Sequence, residues 1–313
     1  MTTITDTSPR QRSGDAGIAA PGYRLPATTR LGVVRLQVAD LSRSLDYYRQ
    51  VLGLRLLERT PATALLGTAD GETPLVELRE RKGAARAPGQ GRLGLYHFAI
   101  LLPDRAALGR FVAHLGAIGA RAGASDHLVS EALYLRDPDG LGIEVYADRP
   151  RESWRAVDGE IQMDTKPLDI ESLLRAAGGV PWAGMPAGTT TGHVHLHVAD
   201  IARATDFYHA ALGLDRMVWS YPGALFLAAG GYHHHLGINT WAGAGAVAPT
   251  ESDAQLLEWT IVLPSDVEVE MAAASLRAAG SPVESDGAAR RATDPWGTTL
   301  RLVDAATDAR PRR

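Results

Sequence analysis

The chain has no cysteine among its 313 residues. Disulfides, thiolate nucleophiles and zinc-thiolate sites are excluded, and any metal must be held by histidine nitrogen and carboxylate oxygen. No apolar run is long enough to span a bilayer. The first 28 residues, rich in Thr, Ser, Pro, Gly and Arg, contain no apolar segment of signal-peptide length and read as a disordered leader. Together these absences point to a cytoplasmic protein with no membrane partner. No basic run interleaved with aromatics occurs, and 32 basic against 36 acidic residues give a net charge of -4, which argues against nucleic acid as a partner. What is present is a hydrophobic content of 45%, enough for two cores of ordinary size.

Histidine is concentrated in one stretch, Gly192-His193-Val194-His195-Leu196-His197-Val198-Ala199-Asp200. A strand's period of two puts Val194, Leu196 and Val198 on one face and His193, His195 and His197 on the other. Three imidazoles on one face imply a polar cleft and a candidate metal ligand.

The same kind of segment occurs earlier. Val34, Leu36 and Val38 alternate as a strand before Asp40, and Leu41, Leu45, Tyr48 and Leu52 follow at helical spacing, with Gly53 as a stop. Asp200 and Gly213 repeat Asp40 and Gly53 at an offset of 160, which predicts an internal duplication. Two more units begin at Leu95-Tyr96-His97-Phe98 and Leu257-Glu258-Trp259-Thr260. They end in the turns Asp137-Pro138-Asp139-Gly140 and Asp294-Pro295-Trp296-Gly297, each followed by a strand. The spacing predicts four units of a strand, a helix and antiparallel strands.

With the phrases Val-Ala-Asp-Leu at 38–41 and Asp-Pro-Asp-Gly before Ile143-Glu144-Val145, this design resembles the vicinal oxygen chelate superfamily, which includes glyoxalase I, antibiotic-resistance binders and extradiol dioxygenases. The segments Leu95 to Ile100, Ser125 to Tyr134, Gly192 to Leu196 and Gly231-Tyr-His-His-His-Leu-Gly-Ile-Asn-Thr-Trp241, in that order, are similar to the two-domain catechol 2,3-dioxygenase branch. The resemblance implies an α+β fold of four βαβββ modules in two glyoxalase-like domains with cupped mixed sheets. Residues 29–150 would hold modules one and two, 151–190 a linker, 191–305 modules three and four, and 306–313 a tail.

In that superfamily two modules share a cup, with ligands from the first strand of each and the last strand of one or both. Counting seven residues back from the helix-opening aspartates gives Val33, His97 and His193, and matching the fourth strand gives Glu258. Last-strand positions aligned on Ile-Glu-Val are Glu77, Glu144, Asn239 and Arg301. Pairing consecutive modules assembles no site with two histidines and a carboxylate. Pairing the second with the third collects His97, His193 and Glu144, with Asn239 as fourth corner, a ligand set suited to Fe(II), with Mn(II) as the alternative. The remaining cup would hold Val33, Glu77, Glu258 and Arg301 and be structural, its arginine paired with a glutamate.

The implied activity is extradiol cleavage of catechol or a substituted catechol with O2. A glyoxalase-type lyase or isomerase would carry one more ligating carboxylate where Asn239 is expected, and a metal-free aromatic-binding or resistance protein would need no triad. For acid–base groups the resemblance points to Tyr134, His127 and the run His233-His234-His235. Strand alternation turns His233 and His235 inward, whereas the family's paired histidines favour His234, so His234 and His235 both stand as candidates. His195, Asn239 and Trp241 are expected to line the substrate pocket. A homo-oligomer is compatible with the sequence.

Overall fold

Residues 16–308 are described by the structure, a computed structural model. The first unit contains β1 (Arg30–Val38), α1 (Leu41–Gln50), β2 (Arg55–Arg59), β3 (Thr63–Gly67) and β4 (Pro74–Glu80). The second contains β5 (Gly94–Leu101), α2 (Arg105–Ala117), β6 (Gly123–Asp126), β7 (Ser130–Arg136) and β8 (Gly142–Asp148). Between the halves lie the short strands β9 (Ala156–Val157) and β10 (Glu160–Ile161) and helix α3 (Ile170–Ala176). The third unit has β11 (Thr190–His197), α4 (Ile201–Thr205) running into a π-helical turn over Asp206–Ala211, β12 (Asp215–Val218), β13 (Ala224–Ala228) and β14 (Leu236–Asn239). The fourth has β15 (Gln255–Leu263), α5 (Asp266–Ala278), β16 (Val283–Asp286), β17 (Ala289–Thr293) and β18 (Thr299–Asp304), followed by the short α6 (Ala305–Asp308).

Helix starts follow from capping. Asp40, Asp104 and Asp200 each accept a hydrogen bond from the backbone N–H three residues on, and Ser265 does the same for α5. The aspartate ruler used to count back to the strand positions is therefore a real structural boundary in three of the four units.

The strands form two eight-stranded mixed sheets, ordered β12-β13-β14-β11-β5-β8-β7-β6 and β16-β17-β18-β15-β1-β4-β3-β2. The second and third units thus share one sheet through the antiparallel pair β5/β11, and the first and fourth share the other through β1/β15. Consecutive units are tied across the sheets instead. Tyr48 of the first unit donates to Asp137 of the second at 3.2 Å, and Tyr208 of the third to Asp294 of the fourth at 2.9 Å. Both aspartates also accept two backbone N–H groups of their own turns, which closes each Asp-Pro turn. One apolar cluster runs through both sheets and the helices, taking Val34 and Leu36 from β1, Phe98 and Ile100 from β5, Val194 and Leu196 from β11 and Trp259 and Ile261 from β15. Burial of each such side chain contributes roughly 1.5–3 kcal/mol.

One expectation is corrected over part of its length. The leader is not disordered over residues 16–28. Leu25 is buried in the main core, Ile18 bridges to Arg216, and Arg24 Nε donates to Asp215 Oδ1 at 2.7 Å, so the segment is anchored on the third unit. Residues 1–15 and 309–313, the rest of the leader and most of the tail, lie outside the described residues. The segment 151–190, expected to be the linker, packs against both halves. Leu173 of α3 is fully buried and its carbonyl lies so close to Gly109 of α2 that a Cβ there would sit 2.1 Å from it. Glu160 accepts the backbone N–H groups of Trp219 and Ser220. Among the described residues no helix is long and apolar enough to cross a membrane.

Candidate metal centre and substrate cavity

In the ladder of β5 and β11, His97 stands opposite His195, and His193 opposite Ala99. His97 and His193 are therefore diagonal neighbours on one face, and the methyl of Ala99 leaves the space between them open. In the parallel pair β5/β8, Glu144 lies beside Ala99. The three side chains converge: His97 Nε2 and His193 Nε2 are 3.3 Å apart, and Glu144 Oε2 is 3.0 Å from the first and 3.1 Å from the second. Ligand atoms about 2.1 Å from one ion at right angles stand about 3 Å apart, so a single cation can bridge this triangle. All three residues are buried. Burial holds the His97 imidazole below its usual range and hence neutral, the form that ligates. Burial works to raise the Glu144 carboxyl, but the pull of His193 and His97 outweighs it and keeps it well below the usual carboxylate range, ionised. Two imidazoles and a carboxylate pressed together at these distances fit a divalent metal.

The fourth corner is not Asn239. By the pairing that sets Glu144 two rungs from His97, the equivalent residue on β14 is Gly237, opposite His195. A Cβ at Gly237 would lie 2.8 Å from the His195 ring, so the imidazole occupies the place a fourth ligand would need. Asn239 sits two rungs further out, opposite His197. Its Oδ1 accepts from His197 Nδ1 at 2.7 Å and from the Trp241 backbone N–H, which leaves Nδ2 to donate to His195 Nε2 at 2.9 Å. His195 is thereby fixed with its proton on Nδ1.

A cavity of roughly 270 Å³ opens over the triad. Of the residues expected there, His97, Glu144, His127, Tyr134, His195, His234 and Trp241 line it, whereas His193 and Asn239 are not among its walls. His127 donates from Nδ1 to the Asp164 carbonyl at 2.8 Å, so its Nε2 accepts the Tyr134 hydroxyl at 2.6 Å. Burial, reinforced by the Glu144 charge, pushes the Tyr134 hydroxyl well above its ordinary range and keeps it protonated. His234 packs against His193 with the rings tilted by 44° and their centroids 4.1 Å apart, and burial keeps it neutral.

His235 does not join it. The Gly230-Gly231 turn, both at positive φ, and the pairing of His235 N–H with the Leu227 carbonyl turn its ring the other way, where Nδ1 accepts the Ala229 N–H at 3.2 Å. The question left open by alternation is answered for His234 because the run lies ahead of β14, not within it.

Sequence reasoning missed Tyr96, Ser125, Met163, Thr165 and Tyr221, which also line the cavity. Alternation would bury Tyr96 opposite to His97. The ladder steps from His195/His97 directly to Leu196/Leu95, so Tyr96 is a bulged residue, and its ring instead contacts His97, His195, His197 and Trp241. Met163 and Thr165 come from the segment between the halves, which carried no signal of a site.

In the other sheet the expected arginine–glutamate pairing is present, but through a different arginine. Arg35, opposite Glu258 as Ala99 is opposite His193, pairs with Glu258 through Nη1 and approaches Glu77 Oε2 with Nε at 2.9 Å. Arg301 reaches Glu258 only at 4.0 Å.

Residues 30–145 match the Glyoxalase/Bleomycin resistance protein/Dioxygenase superfamily. A protein of Bacillus subtilis (strain 168) named catechol-2,3-dioxygenase is 45% identical over 270 residues, covering 85% of this chain and 94% of that protein. Among solved structures, one of a candidate dioxygenase from Bacillus subtilis subsp. subtilis str. 168 superposes with a TM-score of 0.61 at 14% identity, covering 90% of this chain and 86% of that one. Glyoxalase I from Zea mays superposes with a TM-score of 0.52 at 19% identity, covering 90% and 94%. At such identities the two structures are alike in fold alone.

Proposed function

Because this chain belongs to the Glyoxalase/Bleomycin resistance protein/Dioxygenase superfamily, we propose that it is an extradiol ring-cleaving dioxygenase acting on catechol or a substituted catechol with O2. The observation that carries the reading is the triangle of His97, His193 and Glu144, of which His97 and Glu144 line a cavity walled by His234 and Tyr134. Those three residues would hold Fe(II), with Mn(II) as the alternative. Bound there, the metal supplies an electron path between a deprotonated diol and dioxygen.

The protein's own side chains do the rest. Neutral His234 is placed to take a proton from a diol hydroxyl entering beside His193. Tyr134, its hydroxyl oriented by His127, presents an oxygen edge to the opposite side of the ring. His195, held by Asn239, offers its Nδ1–H toward the cavity as a positioning donor. Phe226, Trp241 and Met163 form an apolar wall that seats an aromatic ring and excludes water. The ring opens beside the two hydroxyls, not between them, and both oxygen atoms enter the product.

The test is anaerobic loading with Fe(II), addition of catechol in air, and simultaneous recording of oxygen uptake and of the yellow ring-cleavage product. Absence of both signals with catechol and its methyl derivatives, in protein shown to retain the metal, would rule the reading out.

A further inference from the structure

His233 is fully buried beside the cavity, yet its ring does not line it. Its Nε2 lies 2.9 Å from Asp148 Oδ1, and its Nδ1 lies 2.6 Å from Nδ1 of His234. A carboxylate only accepts, so the His233 proton sits on Nε2 and its Nδ1 is a bare lone pair. That lone pair needs a donor, which must be Nδ1–H of His234. The chain of requirements ends at His234 Nε2, which is left unprotonated on the ring that faces the cavity.

The start of the chain is equally constrained. Tyr232 donates its hydroxyl to the same Asp148 Oδ1 at 3.3 Å, and Tyr146 is hydrogen-bonded to the Tyr232 oxygen at 2.7 Å. Two donors on one oxygen hold the carboxylate in place. Trp154 packs edge-on to His233, ring centroids 5.1 Å apart, and closes the other side.

We propose that Asp148 and His233 are positioning residues that fix the tautomer of His234, so that Nε2 is the bare nitrogen offered to the substrate. His233 transmits the carboxylate's polarity through one imidazole, and neither residue touches the substrate. The proposal builds on the dioxygenase reading for its purpose but not for its geometry.

The test begins with protein carrying 15N-labelled histidine and loaded with Zn(II), which is diamagnetic and inert to oxygen. The expected spectrum shows His234 with a protonated Nδ1 and a bare Nε2. The reverse tautomer overturns the proposal whatever the enzyme does. Asp148→Asn, which can donate as well as accept, should then produce a mixture of tautomers, while Asp148→Glu should restore the single form. In Fe(II)-loaded protein the Asn variant should lose roughly 10- to 100-fold in kcat on catechol, with KM and metal content within twofold of the parent and recovery in the Glu variant. An unchanged tautomer and unchanged kcat in Asp148→Asn also overturn it. If the parent cleaves no catechol, the functional reading falls, and the tautomer spectrum still decides the relay.

Discussion

In the sheet shared by the second and third units the four corner positions carry His97, His193, Glu144 and Gly237, whereas the same positions in the sheet of the first and fourth units carry Val33, Glu258, Glu77 and Arg301. The strand order and the antiparallel junction are the same in both. What differs is the residue two places beyond the first-strand corner. Ala99 keeps one cup open, and Arg35 drives a guanidinium between two glutamates in the other. The fold supplies convergent positions twice. A small side chain leaves one set facing itself, with lone pairs that call for a cation, and an arginine supplies that cation covalently in the other.

The comparison can be broken most sharply at the carboxylates. Glu144→Gln should lower metal content, measured by elemental analysis after dialysis, at least tenfold and ring cleavage by about a thousandfold. Glu77→Gln at the matching corner should leave metal content unchanged. Equal loss from both would mean that the cups are not chemically distinct. Placing the guanidinium in the other cup, by Ala99→Arg, should likewise expel the metal.

Arg35→Met removes the innermost cation and leaves Glu77 with the half-exposed Arg79 and Glu258 with the half-exposed Arg291. Removing one partner of a buried pair costs about 3–5 kcal/mol, which urea unfolding would register while metal content stays at the parent level. A loss below about 1 kcal/mol would show the network to be a solvated surface pair.

The backing of the histidine cup, where His235 turns away from the cavity, should also respond to acid. Burial, with His233 and His193 nearby, lowers the His235 imidazole to about 3. A histidine depressed in the folded state binds fewer protons there than when unfolded, so its contribution is present above the unfolded value of about 6.5 and is lost as pH falls from there towards 3, at up to about 1.4 kcal/mol per pH unit. Arg35 keeps its charge throughout. His235→Asn retains an acceptor for the Ala229 N–H and should flatten the slope of unfolding free energy against pH over that window. An identical slope would remove His235 from the account.

The smallest effect is expected at Gly237→Ala. Its methyl must displace the His195 ring, which should raise KM for catechol severalfold and cost about 1–2 kcal/mol, with metal retained. An unchanged KM would show that His195 does not position substrate.

Much of this was readable before the fold was known. Apolar alternation placed β11 with its histidines on one face, and the capping aspartates provided a ruler that put His97 and His193 in one register. Glu144 followed from Ile143 and Val145 on either side of it. Asn239 was displaced by two residues because Leu236-Gly237-Ile238 and Ile238-Asn239-Thr240 both offer an apolar residue before the corner, and glycine has no side chain to announce itself. Arg35 and Arg301 were equally plausible partners for a glutamate until the ladder set Arg35 opposite Glu258.

The sequence by itself determined the four repeated units, their helix starts and the ligand types, because capping and two-residue periodicity are local and need only neighbouring residues. The pairing of the second unit with the third was also inferred from the ligand positions, and the two sheets bear it out. The tertiary structure alone decided which corner is vacant, that a bulge brings Tyr96 into the cavity, and that Asp148 stands behind His233. These depend on pairing between strands about a hundred residues apart, where a shift of one residue turns every side chain to the opposite face.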